Sequence, residues 1–477
     1  MTTNTTLTMC DGVRIVVPDS LDLITPYVLR EQEDWFEDEI KFLRRLLQPG
    51  QKLIDIGANY GVYTLSMARV VGPGGQVWAF EPASATARLL AQGIAANGCG
   101  QVVLVQSALS SASGTAQLSL NDNSELNALV HGPSATSTSE TVALTTLDEC
   151  LASHNWQEID FVKIDAEGEE ANILRGGRQF FARLSPLVQY EIKAGSEWHM
   201  GLVEAFAALG YDSYRLVPGL DLLLPFDRES PPDGFLLNLF CCKPERAAWL
   251  AASGFLLERT ALGTIEQRKK HPPADEGPES PYHWRKTLLA LPYGWQLAEE
   301  WTQTAATGGS QEVERGLALH ARSRDPALSA GQRFLALEAS FHLFLALCER
   351  QASGLRLASL ARAARDYGAR GIAVNALSHL CNAIFQQQEV DTSEPFLAPG
   401  ARFDTVDPGE AIGNWVLAGA LEELERLGSF SSFYTAADAL QRLQIIRDLG
   451  FGSGEMDRRL SLLEERLAQR PAVSPSG

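Results

Sequence analysis

Three carboxylates sit where apolar runs stop. They are Asp55 in Lys52-Leu-Ile-Asp-Ile-Gly-Ala-Asn-Tyr-Gly-Val-Tyr63, Glu81 after Gln76-Val-Trp-Ala-Phe80, and Asp165 closing Phe161-Val-Lys-Ile-Asp165. Such runs suit parallel strands covered on both faces. The carboxyl ends of such strands are where open α/β sheets hold their ligands. Gly57 and Gly61 let the chain turn sharply and bring its backbone close to a ligand. Glu81, about two dozen residues after the loop, suits hydrogen bonds from ribose hydroxyls. The spacing points to a nucleoside-bearing cofactor.

What the loop lacks narrows the choice. A dinucleotide fingerprint needs G-x-G-x-x-G, but Asn59 and Val62 stand at the second and third glycine positions. The Walker lysine is absent too. A loop poor at holding phosphates, with acids around it, suits amino and ribose groups and a positive sulfur. S-adenosylmethionine fits that description. Asp55, Gly57, Asn59, Tyr60 and Gly61 are expected around its methionine end and Glu81 at its ribose.

Methyl transfer from a sulfonium is one displacement, which needs in-line positioning and, for an alcohol, removal of a proton. Positioning is worth roughly 7–11 kcal/mol, and a general base adds about 10²–10⁴-fold. Asp165 can hold the cofactor's amino group, act as the base, or do both through water. Glu191, inside the apolar strand Leu187–Ile192, must be paired or have a raised pKa, and is a second candidate base. His199, on the loop after that strand, is a third, although loop histidines are more often simply surface. Glu167 reads most plainly as an acid complementing a helix N-terminus. Oxygen ligands such as Asp165, Glu167 and Glu191 would suit Mg²⁺, but nothing else points to a metal and none is expected.

The blocks Asp55-Ile-Gly-Ala-Asn-Tyr-Gly61, Thr145-Thr-Leu-Asp-Glu-Cys150, Ile159 to Glu170 (with Lys163-Ile-Asp-Ala-Glu-Gly168) and Asn172-Ile-Leu-Arg-Gly-Gly177 resemble the FkbM family of class I methyltransferases, which use S-adenosylmethionine. The resemblance covers about residues 35–245. It implies O-methylation, often of a hydroxyl on a sugar, glycan or natural product. It also implies that Ser107 and Ala108 edge the adenine; spacing alone would not pick Ser107, which also reads as a strand-end serine capping a turn. A fold-level likeness does not fix a substrate. The alternative is a non-catalytic scaffold whose helical domain binds a partner protein.

The chain of 477 residues has length for two or three domains. Its net charge of −19 argues against a nucleic-acid duplex as partner, because phosphates are neutralised by clustered Lys and Arg. The 7 scattered cysteines, without C-x-x-C, favour reduced thiols and a cytoplasmic setting. The first residues lack a basic, apolar leader, and no apolar run approaches a membrane span. Expected partners are a small-molecule or glycan acceptor and, through the helical domain, a homodimer mate or another protein.

The fold expected is α/β: a class I methyltransferase Rossmann-like sheet with a terminal antiparallel hairpin, then an all-α C-terminal domain. Residues 1–50 read as an N-terminal strand or hairpin (Val13, Ile15 and Val17 alternating) and a helix from Glu31 to Gln48, striped by Trp35, Phe36, Ile40, Leu43 and Leu47. Residues 51–245 form the methyltransferase domain, with strands at 53–55, 76–80, 102–106, 161–165 and 187–192, a small antiparallel insertion, and a loop from Asp122 to Ser139. Residues 246–284 read as a linker, from the proline-rich His271–Pro281 stretch. Residues 285–470 show helical periodicity and loosely suggest tetratricopeptide-like pairs without a clean repeat.

Overall fold

Every apolar run that ends at one of the key acids is a strand. The computed structural model describes residues 3–130, 138–194, 197–258, 279–308, 311–352, 354–387, 389–435 and 437–469. An eight-stranded sheet runs in the order Leu222–Pro225, Asp212–Val217, Asn238–Cys242, Leu187–Glu191, Phe161–Ile164, Lys52–Ile56, Gln76–Phe80, Val102–Val105. The last five strands in that order are parallel. Asn238–Cys242 is antiparallel to both neighbours, which gives the sheet its expected antiparallel end. Leu53, Ile54 and Ile56 are buried because both faces of the sheet are covered. One face packs Ile54, Ile56, Trp78, Phe80 and Val162 against Phe180, Phe181 and Phe206. The result is an α/β unit built on a mixed, mainly parallel sheet, with a helical C-terminal region.

At the N-terminus Asn4–Thr8 and Arg14–Pro18 form a hairpin, and Val16 is buried along with Ile15 and Val17, so the strand has no clean solvent face. The helix reading needs correction. The single helix expected over Glu31–Gln48 is two, Ile24–Gln32 and Asp38–Leu46. Glu33 breaks it: its left-handed backbone, φ 55°, caps the first helix, and Asp38 and Glu39 open the second. Trp35 and Phe36 therefore lie between helices and carry no helical stripe, whereas Ile40, Leu43 and Leu47 are buried as expected.

The insertion pairs Gly114–Ser119 antiparallel with Ser139–Thr145. Ala108–Leu109 and Ala128–Leu129 complete a second, four-stranded sheet. The stretch expected as a loop from Asp122 thus contains a 3₁₀ turn, Ser124–Leu126, and a short strand; residues 131–137 lie outside the described residues.

Clustering of contacts separates two units: Met1–Leu216 with Leu223–Glu229 and Leu236–Ser253, and Val217–Leu222 with Ser230–Phe235 and Gly254–Gly477. The span read as a linker begins inside a helix, Pro244–Ala252, opened by its proline; most of the proline-rich stretch lies outside the described residues. In the second unit, helices Gln311–Ser323, Ala330–Arg350, Gly354–Tyr367, Arg370–Gln387 and Ile412–Gly428 pack each on the next in chain order. Two of the core indoles are satisfied by backbone: Trp301 Nε1 donates to Thr392 O at 2.8 Å, and Trp415 Nε1 to Val406 O at 2.9 Å. Among the described residues no helix is long and apolar enough to cross a membrane.

Candidate active site

A cavity of about 1040 Å³, open mouth included, lies at the carboxyl ends of the parallel strands. Asp55, Gly57, Asn59, Tyr60, Glu81, Ser107, Ala108 and Asp165 all line it. Gly61 does not: at φ 88° it is the N-cap of the Val62–Val71 helix, and a Cβ there would meet Leu90 Cδ1 at 2.4 Å.

The loop is fixed from both sides. Gly57 has φ 78°, and a Cβ on it would fall 1.7 Å from the backbone oxygen of Asp165. Only glycine lets these two strand ends come so close. The Gly57 and Ala58 N–H groups donate to Phe80 O at 3.1 and 3.0 Å. Asn59, left-handed at φ 48°, donates its N–H to Glu81 Oε2 at 2.9 Å, while Glu81 Oε1 accepts from Ala83 N–H at 2.9 Å. Glu81 therefore braces the loop and keeps spare lone pairs in the cavity. Burial pushes its carboxyl up to about 7 against those two hydrogen bonds, with Asp55 adding repulsion.

Register places Asp55, Lys163 and Gln189 side by side on one face of three adjacent strands. Asp55 is fully buried. Thr64 Oγ1 donates to its Oδ2 at 2.5 Å, while among the described residues Oδ1 has no partner. Burial raises the Asp55 carboxyl, opposed by Lys163 and Thr64. Lys163 itself donates to Asp165 Oδ2 at 2.6 Å and lies 4.8 Å from the Tyr63 ring centroid. Its burial would favour losing the proton, but Asp165, Asp55 and Glu37 raise its pKa and hold the charge.

Several lining residues escaped the sequence reading. Trp35 and Glu37 come from the break between the two N-terminal helices, and Thr25 from the first of them. Tyr63 donates its hydroxyl to Glu37, and Asn238 Nδ2 donates to Glu37 Oε1 at 3.3 Å. Burial pushes Glu37 up against the pull of Lys163. From the insertion, Ser124 donates to Asn59 Oδ1 at 3.0 Å, and Glu125 accepts from Thr25. The acids Glu37-Asp38-Glu39 were a legible helix start that would have freed Trp35 from the helical stripe.

Ser107 donates its hydroxyl to Ala143 O, in the Ser139–Thr145 strand, at 3.0 Å and lies 3.2 Å from Ala108 O. Glu191 and His199 stand outside the cavity lining. Glu191 ends its strand, and burial with the repulsion of Asp165 and Glu167 pushes its carboxyl up to about 9. His199 is the N-cap of the Met200–Ala208 helix, and its backbone N–H donates to Ile192 O at 2.8 Å. Among the described residues no group of three or more His, Cys, Asp or Glu has a metal-binding arrangement.

Raised carboxyls carry a stability consequence. Between the ordinary value near 4.5 and the folded values of about 7 for Glu81 and about 9 for Glu191, the folded chain holds protons that the unfolded chain has released. Their contribution to stability is therefore fully present below about pH 4.5 and is lost as pH rises toward about 7 for Glu81 and about 9 for Glu191. The melting temperature of the ligand-free protein is expected to drop across that window, and Glu81→Gln to flatten the part below about pH 7. A melting temperature that climbs throughout would contradict the buried, protonated state.

Residues 55–212 match the family model of the methyltransferase FkbM domain. Among solved structures the chain is similar to the methyltransferase FkbM from Methylobacillus flagellatus KT, at 14% identity and a TM-score of 0.28, over 41% of this chain and 44% of that one. It is also similar to a SAM dependent methyltransferase from Aquifex aeolicus (12% identity, TM-score 0.26, 46% and 93% covered). A SAM-dependent O-methyltransferase from Thermotoga maritima is a third (14%, 0.26, 50% and 77%). The chain thus spans less than half of the Methylobacillus protein. No curated protein matches it.

Proposed function

We propose, for a chain whose residues 55–212 match the methyltransferase FkbM domain, that it transfers the methyl group of S-adenosylmethionine to a hydroxyl of a sugar, glycan or natural product. The observation that carries the cofactor reading is Asp55: a fully buried carboxylate on the cavity with one oxygen left without a partner among the described residues. A buried acceptor without a donor is costly, and an ammonium in the cavity would satisfy it. Glu81 is placed to accept from ribose hydroxyls, while Tyr60 and the Gly57–Asn59 backbone wrap the remainder. When bound, the cofactor supplies an electrophilic methyl group on a positively charged sulfur. Lys163 holds Asp165 in place at the strand end next to Gly57, and Trp35 offers an aromatic wall suited to the apolar side of a ring.

Calorimetry with S-adenosylmethionine and S-adenosylhomocysteine tests this reading; no binding of either at millimolar concentration would sink it. Asp55→Ala and Glu81→Ala are each expected to weaken binding roughly ten- to hundredfold, since a hydrogen bond to a charged group is worth about 1.5–3 kcal/mol. Unchanged affinity in both would place the cofactor elsewhere. Incubation with trideuteromethyl cofactor and a panel of methyl glycosides, read by mass, tests the hydroxyl acceptor.

A further inference from the structure

We propose that Glu167 is the catalytic base, the group that takes the proton from the acceptor hydroxyl; this rests on the cofactor reading above. Every other carboxylate lining the cavity already has a donor. Asp165 is held by Lys163 at 2.6 Å, Asp55 by Thr64, and Glu37 by Tyr63 and Asn238. Glu81 accepts from two backbone N–H groups and Glu125 from Thr25. Glu169 accepts from Ser110 at 2.8 Å and Asn172 at 3.0 Å. Glu167 alone lines the cavity with no hydrogen-bond donor among the described residues.

Its backbone also argues for a role. Glu167 sits in the left-handed region at φ 46°, followed by Gly168 at φ 97°. Non-glycine residues held there gather at active sites, where surrounding structure imposes the strain. The plain alternative, an acid complementing the Glu170–Gly176 helix, is already met: Glu170 Oε1 accepts from Ala166 N–H at 3.0 Å and Gly168 N–H at 3.3 Å.

The charges around Glu167 make the base conditional. Although the side chain is open to solvent, crowding by protein, with Asp165 and Glu170 repelling it, pushes its carboxyl up to about 8; Glu125 adds repulsion and Lys163 opposes. Glu191 is a further acid within its field. At neutral pH Glu167 is mostly protonated, and a sulfonium beside it would favour the carboxylate. Glu167 then takes the hydroxyl proton as the acceptor oxygen bonds to the methyl carbon. The carbon–sulfur bond breaks with its electron pair going to sulfur, which leaves a methyl ether, S-adenosylhomocysteine and a protonated Glu167. Being exposed, it returns the proton to water.

The test is a carbon-13 NMR titration of the full-length chain labelled at the glutamate side-chain carboxyls, with Glu167→Gln identifying the resonance. Expected is a midpoint near 8 that falls by about one unit or more with S-adenosylmethionine, as an opposite charge within about 4–6 Å requires. S-adenosylhomocysteine, lacking the sulfonium charge, should shift it distinctly less. Calorimetry of Glu167→Gln should show both ligands bound with little loss. If both ligands bind the wild type yet shift the resonance alike, or if it titrates at the ordinary carboxylate value, the base assignment fails alone. If the wild type binds neither, the cofactor reading fails and takes the assignment with it.

Discussion

Gly57→Ala is expected to destabilise the sheet unit by about 2–5 kcal/mol and to remove cofactor binding. The left-handed φ of 78° costs a non-glycine residue about 1–2 kcal/mol by itself. The new methyl would lie 1.7 Å from the carbonyl oxygen of Asp165 and 2.9 Å from its carbon. No side chain can swing away there, so backbone must move, at about 1–3 kcal/mol for overpacking. The movement cannot stay local, because Asp165 N–H donates to Ile56 O at 3.2 Å and its carboxylate is held by Lys163. One added methyl thus pushes apart both sides of the proposed methionine site. Gly74→Ala is the control, with nothing within 4 Å of the added carbon and no positive φ. Melting curves and ligand titrations on the pair should differ sharply. Equal behaviour would mean that the close approach at Gly57 is absent in solution.

Glu425→Ala should unfold the helical unit at markedly lower temperature, with a loss of about 3–5 kcal/mol. Its carboxylate is fully buried between two arginines: Arg442 donates from Nη2 at 2.8 Å and Nε at 3.0 Å, and the equally buried Arg459 from Nη1 at 3.4 Å. Removing the acid takes a fully buried counter-charge from Arg459, which also pairs with Glu455 at 3.1 Å. The contrast is Glu312→Ala, which breaks the Arg350 pair between side chains 52% and 59% exposed. Such surface pairs are worth about 0–1 kcal/mol. Urea titrations followed by the helical signal should separate the two substitutions by several kcal/mol. Similar losses would show that water reaches Glu425.

Why the sequence revealed some of this and concealed the rest follows from which forces are local. The parallel strands were legible because Leu53-Ile54 and Val77-Trp78-Ala79-Phe80 are apolar runs cut off by glycine or acid, and burial on both faces demands that composition. The helices of the second unit were legible because spacing such as Trp415, Val416 and Leu421 must repeat to build one core. The break at Glu33 was not, since glutamate is a good helix former and only the surrounding fold holds it left-handed. Misplacing that break hid Trp35 and Glu37 from the cavity. Lys163 was hidden for another reason: a lysine in a strand reads as an edge, and its buried counter-charge role depends on Asp55 lying in register beside it. Glu191 and His199 stand at a strand end and a helix N-cap outside the cavity lining, a placement that depends on how the strands and helices pack and that no local spacing reveals.

The kink at Glu33 also divides heredity of parts within this molecule. The proposed cofactor cradle is encoded between residues 55 and 165, whereas Thr25, Trp35 and Glu37 reach the same cavity from a stretch that the matched domain does not include. Exchange of residues 24–37 alone would therefore rewrite one wall of the chamber while leaving the Asp55 and Glu81 contacts untouched. Selection, or a protein engineer, can vary that wall without renegotiating the proposed cradle.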